Sequence, residues 1–284
     1  MSEHPNADRE KRFPAGISGW SDLWPGGNSP ALLSDRIVQA LALTALVTLI
    51  FLLFPGLDIW FSGLFYDPGT KFPMTTLPAF AGLRALGNDL LWLAVIALIA
   101  VVLFKIALPW RPSLVPPRDI LFILSTLALG PGLIVNFILK DHWGRPRPWR
   151  VTDFGGDQPF VGVWRITHEC VTNCSFVSGE ASSAIWLVTL LVLVPEKWRP
   201  LALRVAIGLA IVLSLNRIAM GGHFLSDTLL SWTITLTVIA AAWRLFYADP
   251  PPGLSNARLE RGLTWAGLRL RGLIRRQPRP FTNP

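Results

Sequence analysis

Six runs of apolar residues constrain the fold of this chain more than any other feature. We place them at about 37–56, 86–108, 120–139, 181–195, 201–216 and 224–246. A helix of about 20 apolar residues is long enough to cross the hydrocarbon core of a bilayer. Only 15% of the residues are charged, whereas soluble domains carry about 25%. The sequence therefore predicts an all-α polytopic membrane protein with six transmembrane helices in one bundle.

Two polar tails flank the predicted membrane domain, which covers residues 36–247. Residues 1–35 are rich in Pro, Gly and Ser and show no secretory signal pattern, so we expect a disordered cytoplasmic tail. Residues 248–284 are basic, and apolar residues recur there at helical spacing between arginines. That pattern is typical of a helix lying on the anionic inner leaflet of a membrane. A solvated basic tail is the alternative.

The distribution of positive charge predicts the orientation. The net charge is +8 and the basic residues flank the apolar runs, which favours a membrane surface over a nucleic-acid partner. The short loops near 109–119 and 195–200 are basic, and such loops are retained in the cytoplasm. With six spans, both termini are then cytoplasmic, and 18 of the 26 Lys and Arg residues lie inside. The outer segments are 57–85, 140–180 and 217–223.

Polar residues gather at the predicted outer ends of the spans, where the fourth and fifth apolar runs are short. Lys140, Arg147 and Arg217 supply three positive charges, and arginine can bind two phosphate oxygens at once. Ser178 and Gly179 precede the fourth helix, whose free N–H groups and dipole favour an anion. Basic residues at span ends can also merely extend to the interface. Together, however, these residues indicate a phosphate site.

A histidine and an aspartate complete this polar set. His223 and Asp227 are four residues apart and share a helix face at the start of the sixth span. A carboxylate that binds one imidazole nitrogen leaves the other oriented to act as a nucleophile. A histidine hydrogen-bonded within a Gly-Gly-His turn is the plainer alternative. No Asp, Glu or His cluster has metal-ligand spacing, so we expect metal-independent chemistry without a cofactor.

These motifs resemble those of the type 2 phosphatidic acid phosphatase family, which shares its site with vanadium haloperoxidases and bacterial acid phosphatases. Lys140-x6-Arg147-Pro148 matches the first family motif, and Arg217-x5-His223-x3-Asp227 matches the third. The resemblance covers about 120–235 and implies dephosphorylation of a membrane lipid phosphate or diphosphate. It also implies a phosphohistidine on His223 and charge stabilisation by the basic residues.

The second family motif is only partly retained. Ser178 and Gly179 keep its Ser-Gly, but Glu180 stands where the family has the histidine that protonates the leaving group. Asn216 replaces the serine before Arg217. Glu180 is the positional candidate for the acid, protonated when substrate binds. The alternative is a structural glutamate that caps the fourth helix or pairs with an arginine.

Several functions use such a site. The candidate substrates are lipid A, which is our first expectation, undecaprenyl diphosphate, phosphatidylglycerophosphate and phosphatidic acid. A lipid phosphotransferase would need the same residues, and a non-catalytic lipid-phosphate binder or transporter would not need an oriented His223. We expect a bacterial inner-membrane protein with its active site on the periplasmic face.

Two cysteines lie in the predicted outer loop just before the phosphate site. An oxidising compartment permits a disulfide between Cys170 and Cys174, although so short a loop requires favourable geometry. Two free thiols are the alternative.

Overall fold

The computed structural model describes residues 35–275, with side chains to residue 272. The predicted tail 1–35 therefore lies outside the described residues except for Asp35, as does the end of the basic tail. Asp35 caps the first helix, because its Oδ1 accepts a hydrogen bond of 2.8 Å from the backbone N–H of Ile37.

Within this range the chain is helical and forms no strands. Isolated bridges pair Asp67 with Lys71 and Val151 with Gln158. The helices are α1 (Arg36–Leu53), α2 (Gly56–Gly63), α3 (Pro78–Ala107), α4 (Pro117–Leu127), α5 (Gly179–Trp186), α6 (Arg199–Ala219), α7 (Leu225–Trp243) and α8 (Asn256–Arg275). Wider π-helical turns continue α4 over Ala128–Lys140 and α7 over Arg244–Ala248, and a tighter 3₁₀ stretch continues α5 over Leu187–Leu193. Other 3₁₀ turns are Pro73–Thr76, Pro148–Arg150, Thr152–Phe154, Glu196–Trp198 and Pro252–Leu254.

Five of these helical segments are long and apolar enough to cross a membrane. They are Arg36–Leu53, Pro78–Ala107, Pro117–Lys140, Glu196–Ala219 and Leu225–Ala248. The remaining predicted span, Gly179–Leu193, is apolar but shorter. The all-α polytopic bundle predicted from the apolar runs is therefore confirmed, with five full-length helices and one short one.

The short helix α5 lies at the centre of the bundle. It packs against α4, α6 and α7. Trp186 is completely buried, and its indole N–H donates to the carbonyl oxygen of Ile123 and to the hydroxyl of Thr126. By contrast, α3 exposes large apolar side chains such as Trp92 and Leu93. Such a surface is suited to lipid, whereas α5 is surrounded by protein along its length.

The π-helical half of α4 has an identifiable cause. Pro131 lies inside it and cannot donate the backbone hydrogen bond of a regular helix. The carbonyl oxygen of Pro131 accepts a hydrogen bond of 2.7 Å from the side-chain amide of Asn136. Single-turn π bulges are frequent at functional sites, and this stretch ends at Lys140.

The C-terminal helix α8 docks on the opposite end of the bundle from Lys140. It packs against α3 and α4. The Nζ of Lys105, a buried lysine near the end of α3, lies 2.7 Å from Oε1 of Glu260. The side chain of Asn256 accepts a hydrogen bond of 3.1 Å from the backbone N–H of Arg118. This helix occupies the part of the basic tail where helical spacing predicted one.

Candidate active site

Three basic side chains, which we call the cationic cradle, converge on His223. Lys140 ends the α4 segment, Arg147 lies in the following loop and Arg217 lies near the end of α6. Burial lowers the pKa of His223 well below its usual value, and the positive charges of Arg217, Arg147 and Lys140 lower it further. The structure thus brings the sequence-predicted cations together around the predicted nucleophile.

His223 is held through one ring nitrogen. It is buried, and its Nδ1 donates a hydrogen bond of 2.8 Å to the carbonyl oxygen of Ser175. A carbonyl oxygen can only accept, so this bond fixes the neutral tautomer with an unprotonated Nε2. Nε2 has no hydrogen-bond partner among residues 35–275. A lone pair on Nε2 beside three cations is suited to attack on a phosphorus atom.

The direct hydrogen bond expected between Asp227 and His223 is not formed. Asp227 Oδ2 is 3.9 Å from His223 Nδ1, which is too far for a hydrogen bond. Instead, Oδ2 accepts from the hydroxyl of Ser175 at 2.5 Å and from the backbone N–H of Phe224 at 2.9 Å. Asp227 therefore orients the residue that binds His223, and its charge acts on the imidazole across a short gap.

A fully buried arginine, absent from the predicted site, holds Asp227 from the other side. Nη1 of Arg145 donates to Asp227 Oδ1 at 2.6 Å and to Ser226 Oγ at 2.9 Å. Nη2 donates to Asp58 Oδ2 at 2.8 Å, and Nε donates to the carbonyl oxygen of Val161 at 2.7 Å. Burial alone would lower the pKa of Arg145, but the charges of Asp227 and Asp58 raise it above its usual value.

Sequence reasoning missed both Arg145 and Asp58. Arg145 stands inside the Lys140–Pro148 motif, where only Lys140 and Arg147 were given roles. Asp58 is a single carboxylate in the otherwise apolar segment of α2. An ionisable residue near membrane depth is a signal for a functional partner, and that signal could have identified Asp58.

The start of α5 has the predicted form of an anion site. Ser178 is the N-cap, and its Oγ accepts a hydrogen bond of 3.2 Å from the backbone N–H of Ala181. The backbone N–H groups of Gly179 and Glu180 have no acceptor in the described part of the chain. A side chain at Gly179 would collide with the amide of Asn136. Glycine is thus needed here for packing against α4 as well as for access to an anion.

Glu180 lies between two arginines. Its Oε1 is 3.0 Å from Nε of Arg84 on α3, and its Oε2 is 3.1 Å from Nε of Arg217. The second contact is an ion pair and not a hydrogen bond, because Arg217 Nε has no hydrogen-bond partner among the described residues. These contacts join the carboxylate to α3 and α6. Arg84, which the sequence analysis did not single out, brings α3 to the edge of the site.

Arg147 is held by the loop between the α4 segment and α5. Its Nε and Nη2 donate to the carbonyl oxygen of Asn173, and Nη2 also donates to Asn173 Oδ1 at 2.7 Å. Asn173 has a left-handed backbone conformation, with φ of 51°. A disulfide joins Cys170 and Cys174 and encloses Asn173, with Cα atoms 5.7 Å apart. This small closed loop fixes the direction of one arginine of the cationic cradle.

The remaining cations have few partners. Lys140 forms no hydrogen bond or salt bridge with residues 35–275, and Arg217 Nη1 donates a weak hydrogen bond of 3.7 Å to the sulfur of Met220. In the same range, no group of three or more His, Cys, Asp and Glu side chains is arranged to hold a metal ion. The oxygens of a bound phosphate would supply the acceptors that these positive groups lack.

Comparison with known proteins agrees with this geometry. Residues 119–250 match the PAP2 superfamily. The chain is 39% identical over 211 residues to a lipid A 4'-phosphatase of Rhizobium etli, covering 68% of this chain and 80% of that protein. Lipid A 4'-phosphatases of Rhizobium leguminosarum and Francisella tularensis subsp. novicida are 35% and 36% identical, and each match covers 68% of this chain and 88% or 87% of the relative. No solved structure matches the chain.

A helical membrane bundle that directs an unprotonated imidazole and three cations to one end is built for phosphate transfer at a membrane. The protein is a multi-pass bacterial membrane protein and a lipid phosphatase that hydrolyses phosphomonoesters. The chain belongs to the PAP2 superfamily, as its motifs predicted.

Proposed function

We propose that the protein removes the 4'-phosphate of lipid A through a phosphohistidine on His223. The named activity of its relatives supports the substrate. The observation that carries the mechanism is the hydrogen bond from His223 Nδ1 to the Ser175 carbonyl oxygen, which leaves Nε2 unprotonated. A protein that only binds lipid phosphate has no need of an imidazole fixed in this tautomer.

The reaction runs in two displacement steps. Nε2 of His223 attacks phosphorus while the bond from phosphorus to the sugar oxygen breaks, and that oxygen takes up a proton. Water then attacks the phosphohistidine, the N–P bond breaks and inorganic phosphate leaves. The cationic cradle and the free N–H groups at the start of α5 stabilise the charge on the equatorial oxygens in both steps. Asp227, across its 3.9 Å gap, stabilises the positive charge that develops on the ring.

We assign the acid role to Glu180. In the free protein its carboxylate shares Arg84 and Arg217. A phosphate that binds Arg217 takes over one of these partners, and the nearby anion favours the protonated carboxyl group. Arg84 is 48% exposed, so its remaining pull on the carboxylate is weakened by solvent. Glu180 then donates its proton to the leaving oxygen.

We further propose that the site faces the periplasm and that both termini lie in the cytoplasm. The bias of Lys and Arg toward the predicted inner segments supports this orientation, and so does the disulfide beside Arg147, since disulfides persist in oxidising compartments. On the inner side, α8 presents exposed Trp265, Leu268 and Leu270 beside several arginines. This surface supports binding to anionic inner-leaflet lipids.

The test is phosphate release by purified protein from a panel of lipid phosphates that includes lipid A, undecaprenyl diphosphate, phosphatidylglycerophosphate and phosphatidic acid. We expect the fastest release from lipid A with its 4'-phosphate in place. Each reaction is repeated with an acceptor lipid. Phosphate that appears on the acceptor instead of in solution would identify a phosphotransferase, and binding without turnover of any member would contradict the proposal.

A further inference from the structure

Asp58 lies on α2, outside the segment that matches the PAP2 superfamily, yet it contacts α7, the helix that carries Asp227. It is almost completely buried. Its Oδ1 accepts from the backbone N–H of Ser226 at 2.9 Å, and its Oδ2 accepts from the Ser226 hydroxyl at 2.6 Å. It therefore binds the first turn of α7, one residue before Asp227. None of the roles assigned above uses this carboxylate.

The buried groups on the Nδ1 side of His223 form a chain of contacts. Asp58 and Asp227 bind different nitrogens of the same guanidinium, that of Arg145, at 2.8 and 2.6 Å. Asp227 in turn accepts from the Ser175 hydroxyl, and the Ser175 carbonyl oxygen accepts from His223 Nδ1. With both carboxylates ionised, one positive charge is shared between two negative charges, and the cluster is net negative.

The sharing of Arg145 has a consequence for the imidazole. Attack by Nε2 leaves the ring of the phosphohistidine positively charged while Nδ1 keeps its proton. A net negative cluster next to Nδ1 stabilises that charge. Without Asp58, the whole charge of Arg145 would fall on Asp227, and the cluster would be neutral.

We propose that Asp58 is a positioning residue for His223, which acts through Arg145 and Asp227 to keep the buried cluster behind the imidazole net negative. This inference rests on the proposed nucleophilic role of His223. Asp58 touches neither the phosphate nor the reacting ring. It should therefore affect the phosphoryl-transfer step and leave substrate binding almost unchanged.

A purely structural role for Asp58 is the alternative, because a buried carboxylate that caps α7 also stabilises the fold. The two roles differ in their effect on the titration of His223. Its pKa responds to the charges that face it from every neighbouring element. These are Lys140 of the α4 segment, Arg147 of the outer loop, Arg217 of α6 and Asp227 of α7.

The test compares wild type with Asp58→Asn, which keeps the shape and removes the charge. We measure the titration of His223 by NMR on protein with ¹³C-labelled histidine, and assign its signal by its loss in His223→Ala. A neighbouring charge shifts a pKa by about 1–3 units at contact. The loss of the negative charge of Asp58, which lies one layer further out, should therefore lower the pKa of His223 by roughly half a unit to one unit. We expect kcat to fall roughly tenfold and KM to stay within about twofold.

Ser62→Ala is the matched control. Ser62 lies on the same helix, is buried and has no hydrogen-bond partner for its hydroxyl among the described residues. We expect it to leave both the titration and kcat unchanged. Asp58→Glu, which keeps the charge, is expected to retain the wild-type titration, and it serves also if Asp58→Asn does not fold.

The titration separates this inference from the proposed function. An unchanged His223 titration in folded Asp58→Asn protein, or a lowered pKa in Asp58→Glu, would overturn the positioning role. A loss of kcat with an unchanged titration would show a structural role only. If the titration shifts as expected but wild type releases no phosphate from any lipid, the proposed function fails and the charge coupling stands.

Discussion

Replacing Glu180 by Gln separates the acid role from a pairing role, because the acid role predicts a large loss of kcat and the pairing role predicts that most of kcat is kept. A positioned general acid contributes about 10²–10⁴-fold to the rate. Glu180 is 25% exposed and shares two arginines, so we place its contribution near the lower limit, at about 10²-fold in kcat. The variant also frees Arg217 for phosphate, so KM should fall severalfold while kcat collapses.

The assay is phosphate release across a pH series by wild type, Glu180→Gln and Glu180→His. An imidazole titrates near pH 6.5, so His should restore part of the lost kcat. Glu169→Gln makes the same chemical change in the outer loop and should behave as wild type. The Arg84 pair is half-exposed and contributes at most about 1 kcal/mol to stability. Because Arg217 is only 5% exposed, thermal unfolding of Glu180→Gln is compared with that of wild type, so that a loss of fold is distinguished from a loss of the acid.

The acid assignment is refuted if Glu180→Gln keeps most of the wild-type kcat with an unaltered profile, since Glu180 is then only a partner for the arginines.

Four further outcomes are expected. His223→Ala should abolish turnover without loss of the folded state, measured by phosphate release and thermal unfolding; near-normal release would exclude it as the nucleophile. Burial and the cationic cradle lower the pKa of His223 well below its usual value. The acid limb of kcat/KM should therefore follow the second ionisation of the substrate phosphate, near 6. A limb that also appears with a substrate lacking that ionisation would contradict this. Activity should survive EDTA and be inhibited by vanadate, because the cradle supplies the positive charge; inhibition by EDTA that one divalent ion reverses would contradict it. After reduction, an impermeant thiol reagent should label Cys170 and Cys174 from the periplasmic side, and labelling only from the cytoplasm would reverse the proposed orientation.

The parts of the site that follow from sequence are those with local spacing. Some motifs can be recognised from their spacing alone, because a helix or a tight loop sets the distance between their residues. These are the two basic residues seven positions apart and the histidine four residues before an aspartate. The apolar runs likewise predicted the bundle, since their length is set by the bilayer. The fourth run was counted among the six spans, and in the structure it forms the shorter helical segment Gly179–Leu193.

The contacts that sequence did not predict join residues far apart in the chain. Asp58 and Arg145 are 87 positions apart, and Arg84 and Glu180 are 96 apart. Nothing in local spacing says which carboxylate meets which arginine once the helices pack. The same limit explains the error over Asp227: four-residue spacing placed it near His223, but Arg145 and the Ser175 hydroxyl compete for its oxygens and hold it 3.9 Å away.

The position of Asp58 decides how little of this chain could be kept in a smaller phosphatase. A fragment that begins at residue 119, where the superfamily match starts, would contain every motif residue and look complete by alignment. It would nevertheless lack α2, and Arg145 would face Asp227 with an unmatched nitrogen in a dry interior. Two changes should relieve this unmatched nitrogen. Residues 36–63 could be supplied as a separate peptide, or Arg145 could be exchanged for a neutral side chain.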